Sequence, residues 1–314
     1  MLTWEPLIMA HFKKKPMTGS IYWKRDSLEL RNLILFFLFA FGWSWTIWFG
    51  IINEWIPMPQ GPNLSLIEYV QFLPIALLSP FGPTIAAFLM TFLTEGKVGG
   101  KQLWSRFWNR DLQKEWLIIL ILLQPAYFLV FRILGQAFGA SQPTIAWISS
   151  PLLIVESLVV NTIHGGLSEE FGWRGYALPR LQARFSAFWA SLILGFFEGL
   201  WHYPLIVWPT DPRYGMSLIV LIMWQTIATY FRTWIFNSTN GSILAAVLFH
   251  AVQNTAGIIV PASGFIISWL PHDPFVPPAL IIVGYIFVLV ILLVSNPRDM
   301  ITVLKRRELE IEPV

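Results

Sequence analysis

Long apolar runs follow one another along the chain and are separated by short polar segments. A helix needs about 20 residues to cross a hydrocarbon core of about 30 Å, and each of these runs meets that length. They cover approximately residues 33–52, 70–93, 116–138, 147–167, 186–206, 216–235, 243–262 and 277–295. The pattern therefore predicts an all-α, polytopic membrane helix bundle with about eight transmembrane helices.

Composition agrees with this prediction, because 55% of the 314 residues are hydrophobic and only 12% are charged. Soluble domains carry about twice that charged fraction. No internal repeat divides the chain, so we expect one membrane-embedded domain over residues 33–297. A basic N-terminal segment, residues 1–32, and a tail, residues 298–314, are expected to flank it in the cytoplasm. Pro80 and Pro83 predict a kink in the second helix.

Lysine and arginine residues are concentrated in alternate loops, and this asymmetry orients a membrane protein. With the N-terminus inside, all of them except Arg132 and Arg213 fall on the cytoplasmic side, Arg232 included. Both termini are therefore expected in the cytoplasm. The net charge of +3 is explained by loops that face anionic lipid headgroups. Membrane lipid is thus an expected partner and nucleic acid is not, and we expect a multi-pass protein of a bacterial plasma membrane.

A charged side chain at membrane depth costs about 2.5–3.5 kcal/mol, so each ionisable residue there is a candidate for function. The candidates at or near membrane depth are Glu156, His164, Glu169, Glu170, Arg174, Glu198, His202 and His250, together with the amide of Asn254. A single histidine in such a helix is more often a packed residue than a catalyst. This simpler interpretation applies to His202 and more strongly to His164.

The segment SEEFGWR, residues 168–174, places two carboxylates and a guanidinium side by side. On a helix, Glu170 and Arg174 share a face because they are four residues apart, whereas Glu169 points to a neighbouring face. We predict an ion pair between Glu170 and Arg174, which leaves Glu169 to face the bundle interior as a general base. A solvated turn at the membrane interface explains the same spacing equally well.

His250 and Asn254, in the segment FHAVQN, are also four residues apart and face one direction. An imidazole and an amide together can donate hydrogen bonds to an oxygen that becomes negative during acyl transfer. They are therefore a candidate oxyanion clamp. For these two residues taken alone, a hydrogen-bonding pair between packed membrane helices is the simpler interpretation.

The segments EEFGWR, WH and HAVQN occur in this order on successive predicted helices. This order resembles the CAAX protease and bacteriocin-processing (CPBP or ABI) family of intramembrane proteases, whose motifs are EExxxR, FxxxH and HxxxN. The resemblance covers roughly residues 80–260. It implies a CAAX prenyl endopeptidase-like enzyme of the glutamic type, independent of metal, which hydrolyses a peptide or membrane-protein substrate with glutamate-activated water.

The resemblance also implies a role for each motif residue. Glu169 would activate water, His202 would orient that water or the glutamate, and His250 with Asn254 would form the oxyanion hole. The same resemblance assigns structural support to Glu170 and Arg174. We expect the four catalytic side chains to converge around one buried pocket reached from the inner leaflet.

One position departs from the family pattern, because Glu198 stands where the second motif has phenylalanine, four residues before His202. Glu198 and His202 share a helical face. Three roles are compatible with that spacing: Glu198 holds His202 in one tautomer, serves as an additional acid, or turns outward to water.

Two alternatives to a metal-free protease are compatible with the same residues. A zinc ion at Glu169, His202 and His250 is the weaker alternative to having no cofactor, since three protein ligands and a water form the usual catalytic zinc site. The other alternative is a non-catalytic membrane scaffold, a bacteriocin self-immunity protein or a transporter. Intramembrane glutamates and histidines also build proton relays. The substitution Glu169→Gln separates these classes, since only a protease needs the base.

Overall fold

The computed structural model describes residues 27–56, 74–75, 78–108, 114–145, 148, 150–261 and 278–294. The long helices are α1 (Ser27–Ile52), α2 (Gly82–Ser105), α3 (Lys114–Ala137), α4 (residues 152–182), α5 (Ala187–Trp201), α6 (Leu218–Ser238), α7 (Ile243–Ile259) and α8 (Pro278–Val294). The predicted all-α membrane bundle is confirmed. The predicted tail, residues 298–314, and most of the predicted N-terminal segment, residues 1–32, lie outside the described residues.

Four helical stretches are long and apolar enough to cross a membrane: Leu30–Ile52, Lys114–Ala137, Ala187–Val207 and Leu218–Ser238. Helix α3 shows the expected lipid-facing surface, since Ile118, Ile121 and Leu122 are each more than half exposed. An exposed apolar surface of this size is typical of contact with lipid rather than with water. The chain is therefore an integral, multi-pass membrane protein, as predicted.

Helix α2 differs from its prediction in both position and shape. It begins at Gly82, after a short 3₁₀ turn over Ser79–Phe81, and it extends to Ser105. Pro80 lies in that turn and Pro83 lies in the first turn of the helix. Proline is tolerated there because the N–H groups of a first turn have no partner within the helix. Helical residues also precede this turn, at 74–75 and 78, so the predicted proline kink stays a prediction. Within α2, the backbone departs from helical geometry at Gly96, with φ of 68°.

Helix α4 continues well past the apolar run that predicted it. Two stretches have π-helical geometry, Thr162–Leu167 and Phe171–Ala177, and Ser168–Glu170 lies between them. Single π-helical turns occur frequently at functional sites. The three charged residues of the motif are at most 4% exposed. The alternative of a solvated interfacial turn is therefore wrong, because the motif is buried inside a continuous helix.

Helices α5 and α6 approach each other closely, and this brings the second motif against α6. A Cβ on Gly195 would lie 2.6 Å from Thr226 Cα, and one on Gly199 would lie 2.7 Å from Ile222 Cα. Small residues allow this kind of backbone contact between membrane helices. Glu198 lies between these two glycines in sequence, and its side chain reaches Thr229 of α6 at 2.9 Å.

An aromatic cluster fixes α4 against its neighbours α1 and α5. The ring of Trp173 meets Phe36 of α1 edge-on at 5.6 Å and Trp201 of α5 at 5.8 Å between ring centroids. Such edge-to-face pairs contribute about 0.5–1.5 kcal/mol beyond the burial of their area. Trp173 is fully buried, so the residues one helical turn before it are held in a defined orientation.

Candidate active site

Four buried charges from three helices form one network. Arg174 Nε lies 3.3 Å from Glu170 Oε2 within α4, which confirms the predicted ion pair. Arg174 Nη1 also lies 2.6 Å from Glu198 Oε1 in α5. Arg232 in α6 completes the network, with Nη1 3.3 Å from Glu170 and Nη2 3.2 Å from Glu198. Two carboxylates and two guanidinium groups therefore balance one another, which is the condition for keeping ions in a buried site.

Arg232 is a charged site residue that the sequence interpretation missed. It was assigned to the cytoplasmic charges, whereas the structure places it within α6 with a side chain that is only 2% exposed. A signal was available, because Arg232 falls inside the predicted run 216–235, and an arginine at membrane depth is a functional candidate by the rule applied to the glutamates.

Arg174 and Arg180 were also assigned to the cytoplasmic charges, and they are 0% and 5% exposed. Because they are buried, as Arg232 is, they are not part of the loop charge that orients the chain in the membrane. The cytoplasmic location of both termini stays a prediction that rests on the remaining lysines and arginines.

The structure bears on two of the three roles predicted for Glu198. Its carboxylate is fully buried, so the outward-facing alternative is wrong. Two guanidinium groups hold that carboxylate, and Thr229 Oγ1 donates to it at 2.9 Å. These contacts do not test the role of an additional acid, which stays a prediction. Glu198 does hold His202, but through its backbone carbonyl oxygen rather than its side chain.

His202 is fixed in one tautomer by that contact. Its Nδ1 lies 2.7 Å from the carbonyl oxygen of Glu198. Because a carbonyl oxygen only accepts hydrogen bonds, Nδ1 carries the proton and Nε2 of the neutral ring carries the lone pair. The ring is 6% exposed and packs edge-on against Trp201. His202 therefore offers a hydrogen-bond acceptor in a buried position.

Glu169 lies beside this network but is not one of its ion pairs. Its Oε2 accepts a hydrogen bond of 3.0 Å from Trp173 Nε1, and the residue is 4% exposed. Arg232 and Glu198 are close enough to interact with it electrostatically. Glu169 and Glu170 thus have separate surroundings, as their different helical faces predict: Glu170 is held between arginines, and Glu169 is held by an indole N–H.

His250 is joined to the EExxxR motif by a short hydrogen bond. Its Nδ1 lies 2.6 Å from Glu170 Oε1, and Arg232 Nη1 lies 3.1 Å from the same nitrogen. A nitrogen that donates to a carboxylate cannot also accept from a guanidinium group, and the shorter contact identifies the donor. Nδ1 therefore carries the proton, and Nε2 of the neutral ring carries the lone pair, which lies 3.4 Å from the donor Arg232 Nη1.

The side chains of His250 and Asn254 meet at one point of α4. A Cβ placed on Gly165 would lie 3.0 Å from His250 Nε2 and 2.8 Å from Asn254 Nδ2. Both nitrogens therefore lie around the same small space beside the backbone of α4. His250 is 4% exposed, whereas Asn254 is exposed. The shared direction predicted from their spacing is present in the structure.

Arg232 is a common neighbour of the predicted site residues. It interacts with Glu169, and His202 interacts electrostatically with both Arg232 and His250. The predicted catalytic and supporting residues thus come from α4, from α5 with the residue that follows it, and from α7, and Arg232 of α6 lies among them. Their convergence in one water-accessible pocket open to the inner leaflet stays a prediction. Of the other candidates, Glu156 is exposed and His164 is half-buried.

Within the described ranges, no three His, Cys, Asp or Glu side chains are grouped so that they could hold a metal ion. This geometry gives no support to a zinc site at Glu169, His202 and His250. The zinc alternative, like the absence of any cofactor, stays a prediction for chelation experiments.

Comparison with known proteins agrees with the motifs. A protein-family model described as type II CAAX prenyl endopeptidase Rce1-like matches residues 129–256, which hold all three motifs. The chain is also 26% identical over 245 residues to CAAX prenyl protease 2 of Methanococcus maripaludis, an alignment that covers 71% of this chain and 83% of that protein. These findings confirm the resemblance predicted from the sequence, and they support a multi-pass membrane endopeptidase of the CAAX type.

Proposed function

We propose that this protein hydrolyses peptide bonds with a water molecule activated by Glu169. The observation that carries the proposal is the 2.6 Å contact between Glu170 and His250, because it joins the first and third motifs into one site. This contact supports a position for Glu169, the residue next to Glu170, close to the predicted oxyanion clamp. Support also comes from the CAAX protease relative and the matching family model.

In the proposed reaction, Glu169 takes a proton from water while the water oxygen bonds to the carbonyl carbon of the substrate. The carbonyl oxygen becomes an oxyanion in the resulting tetrahedral intermediate. The C–N bond then breaks, and the proton held by Glu169 passes to the departing nitrogen. The products are a new C-terminal carboxylate and an amine, and Glu169 is again ionised. The role of His202 is to orient the water, because its free Nε2 accepts a hydrogen bond from it.

Asn254 and His250 would stabilise the oxyanion under different conditions. The amide of Asn254 donates at any pH, but His250 donates through Nε2 only when the ring carries a second proton. The four network ions are balanced, so an ionised Glu169 together with a protonated His250 keeps the site electrically neutral. Because the imidazole described above is neutral, we infer that His250 gains a second proton at Nε2 in the reacting form, while Glu169 is ionised.

The substrate class that we propose is a prenylated peptide with a C-terminal CAAX sequence. This choice rests on the printed descriptions of the matching family and of the relative. The lipid chain of such a peptide would enter the hydrocarbon core beside the protein, and the scissile bond would lie at the buried site. Purified protein in lipid vesicles should release the last three residues of a farnesylated CAAX peptide and leave the unprenylated peptide uncut.

Comparative peptidomics of membranes tests the proposal without assuming a substrate. Membranes that contain the wild-type chain should show new C-termini that are absent when Glu169→Gln replaces it. Identical C-termini in both membranes, with a biological effect that survives the substitution, would instead favour a scaffold or self-immunity role. Proton-dependent flux into vesicles would favour a transporter.

A further inference from the structure

Gly165 has no assigned role in the three motifs, yet it faces two of the proposed catalytic residues. The three atoms nearest to a Cβ built on Gly165 are Asn254 Nδ2 at 2.8 Å, His250 Nε2 at 3.0 Å and His250 Cδ2 at 3.1 Å. We propose that Gly165 is a positioning residue for the oxyanion site: its missing side chain leaves the space that lets the Asn254 amide lie beside His250 Nε2. This inference rests on the proposed function.

A methyl group at this position would displace Asn254 rather than His250. His250 is buried, and its ring is held by Glu170 at 2.6 Å with Arg232 beside it. Asn254 is exposed, and the atom nearest to the added carbon is the end of its flexible side chain. The substitution Gly165→Ala should therefore move the amide away from its place beside His250, while the imidazole, with ring atoms at 3.0 and 3.1 Å, shifts only slightly.

The neighbouring residue, Gly166, has a packing role in the same helix. A Cβ on Gly166 would lie 2.8 Å from the carbonyl oxygen and 3.1 Å from the Cα of Val247. Those are backbone atoms of α7, so any side chain at Gly166 would push the two helices apart. The nearest atoms to Gly165 are all side-chain atoms, and the helix pair can accommodate alanine there without moving its backbone.

The experiment compares Gly165→Ala, Asn254→Ala and the double variant on a substrate that the wild type cleaves and Glu169→Gln does not. Loss of one oxyanion donor lowers kcat by about 10²–10³-fold. We expect a loss of this order in Gly165→Ala, with KM and thermal stability close to those of the wild type. The double variant should be no slower than Asn254→Ala alone, because both changes remove the same donor.

Gly257→Ala is the matched control, since it adds the same methyl group to α7 at an ordinary contact distance, 3.7 Å, from the ring of Phe128. It should retain wild-type kcat. Gly166→Ala should lose thermal stability.

Three results would overturn the inference: wild-type activity in Gly165→Ala, additive losses in the double variant, or unfolding of Gly165→Ala, which would make it a packing residue. Each of these leaves the proposed function intact. Wild-type cleavage by Glu169→Gln would refute the proposed function itself.

Discussion

Arg232 Nη2 and Glu198 Oε2 lie 3.2 Å apart, on the adjacent helices α6 and α5, with both side chains buried. Glu198 occupies the position at which the second family motif has phenylalanine. An unpaired carboxylate would be very costly there, so the pairing with Arg232 and Arg174 explains how this chain accommodates the change. The carboxylate of Glu198 on α5 is thus balanced by the guanidinium group of Arg232 on α6.

Removal of either charge should destabilise the protein more than removal of both. Glu198→Phe or Arg232→Leu alone leaves an uncompensated buried ion, and such a loss costs about 3–5 kcal/mol. The double variant leaves the neutral pair of Glu170 and Arg174, so it should melt at a higher temperature than either single variant. Thermal unfolding in detergent measures this double-mutant cycle.

Arg213→Ala is the control, because its ion pair with Asp211 is partly exposed and such pairs contribute about 0–1 kcal/mol. Strictly additive losses from Glu198→Phe and Arg232→Leu would show that the two charges are not coupled.

Trp173→Phe should weaken catalysis more than it weakens the fold. Phenylalanine keeps an aromatic ring in the cluster but removes the N–H that donates to Glu169 at 3.0 Å. A hydrogen bond to a charged group contributes about 1.5–3 kcal/mol, which corresponds to a loss of about ten- to hundredfold if it positions the base. Steady-state measurement of kcat/KM tests this expectation. The same change at Trp189, which is 55% exposed, should leave kcat/KM unaltered, and an equal loss at both positions would contradict the assignment.

The dependence of kcat/KM on pH should be bell-shaped. At low pH, protonated Glu169 cannot accept the proton of water, and at high pH, His250 loses the second proton and can no longer donate through Nε2. Glu170 and Arg232 face His250 and carry fixed opposite charges in this range. His250→Gln replaces the imidazole with an amide that donates at any pH, so the decline at high pH should disappear while the decline at low pH stays. Persistence of both limbs in His250→Gln would argue against this role.

Chelators should leave the activity unchanged if water is activated by Glu169 alone. Purified protein treated with a strong zinc chelator and then dialysed should cleave its substrate at the untreated rate. Loss of activity that is restored by added zinc would instead establish a metal ligand set and replace the metal-free account.

Much of the architecture follows from local features that a sequence displays directly. The lengths of the apolar runs identify the helices, and the four-residue spacing of Glu170 and Arg174 predicts their ion pair. The bounds of α2 were less predictable, because prolines that begin a helix and prolines that bend one cannot be distinguished by composition.

The network around the site depends on contacts between distant segments, which spacing along one helix does not specify. Arg232 approaches Glu170 from 62 residues away, and the bond from Glu170 to His250 spans 80 residues. The orientation of Glu198 follows only from its partners in α4 and α6. Its helical face alone was equally compatible with contact to His202 or to water. Only the packing of α5 against α6 distinguishes these roles.

The most direct test of the central claim is the turnover rate of Glu169→Gln in lipid vesicles, measured on a substrate that the wild type cleaves. The amide keeps the size of the side chain and lets the ion network of Glu170, Arg174, Glu198 and Arg232 form, so thermal stability should be retained. We predict no cleavage above the uncatalysed background. Cleavage at a rate near that of the wild type by folded Glu169→Gln would contradict the role of Glu169 as the base.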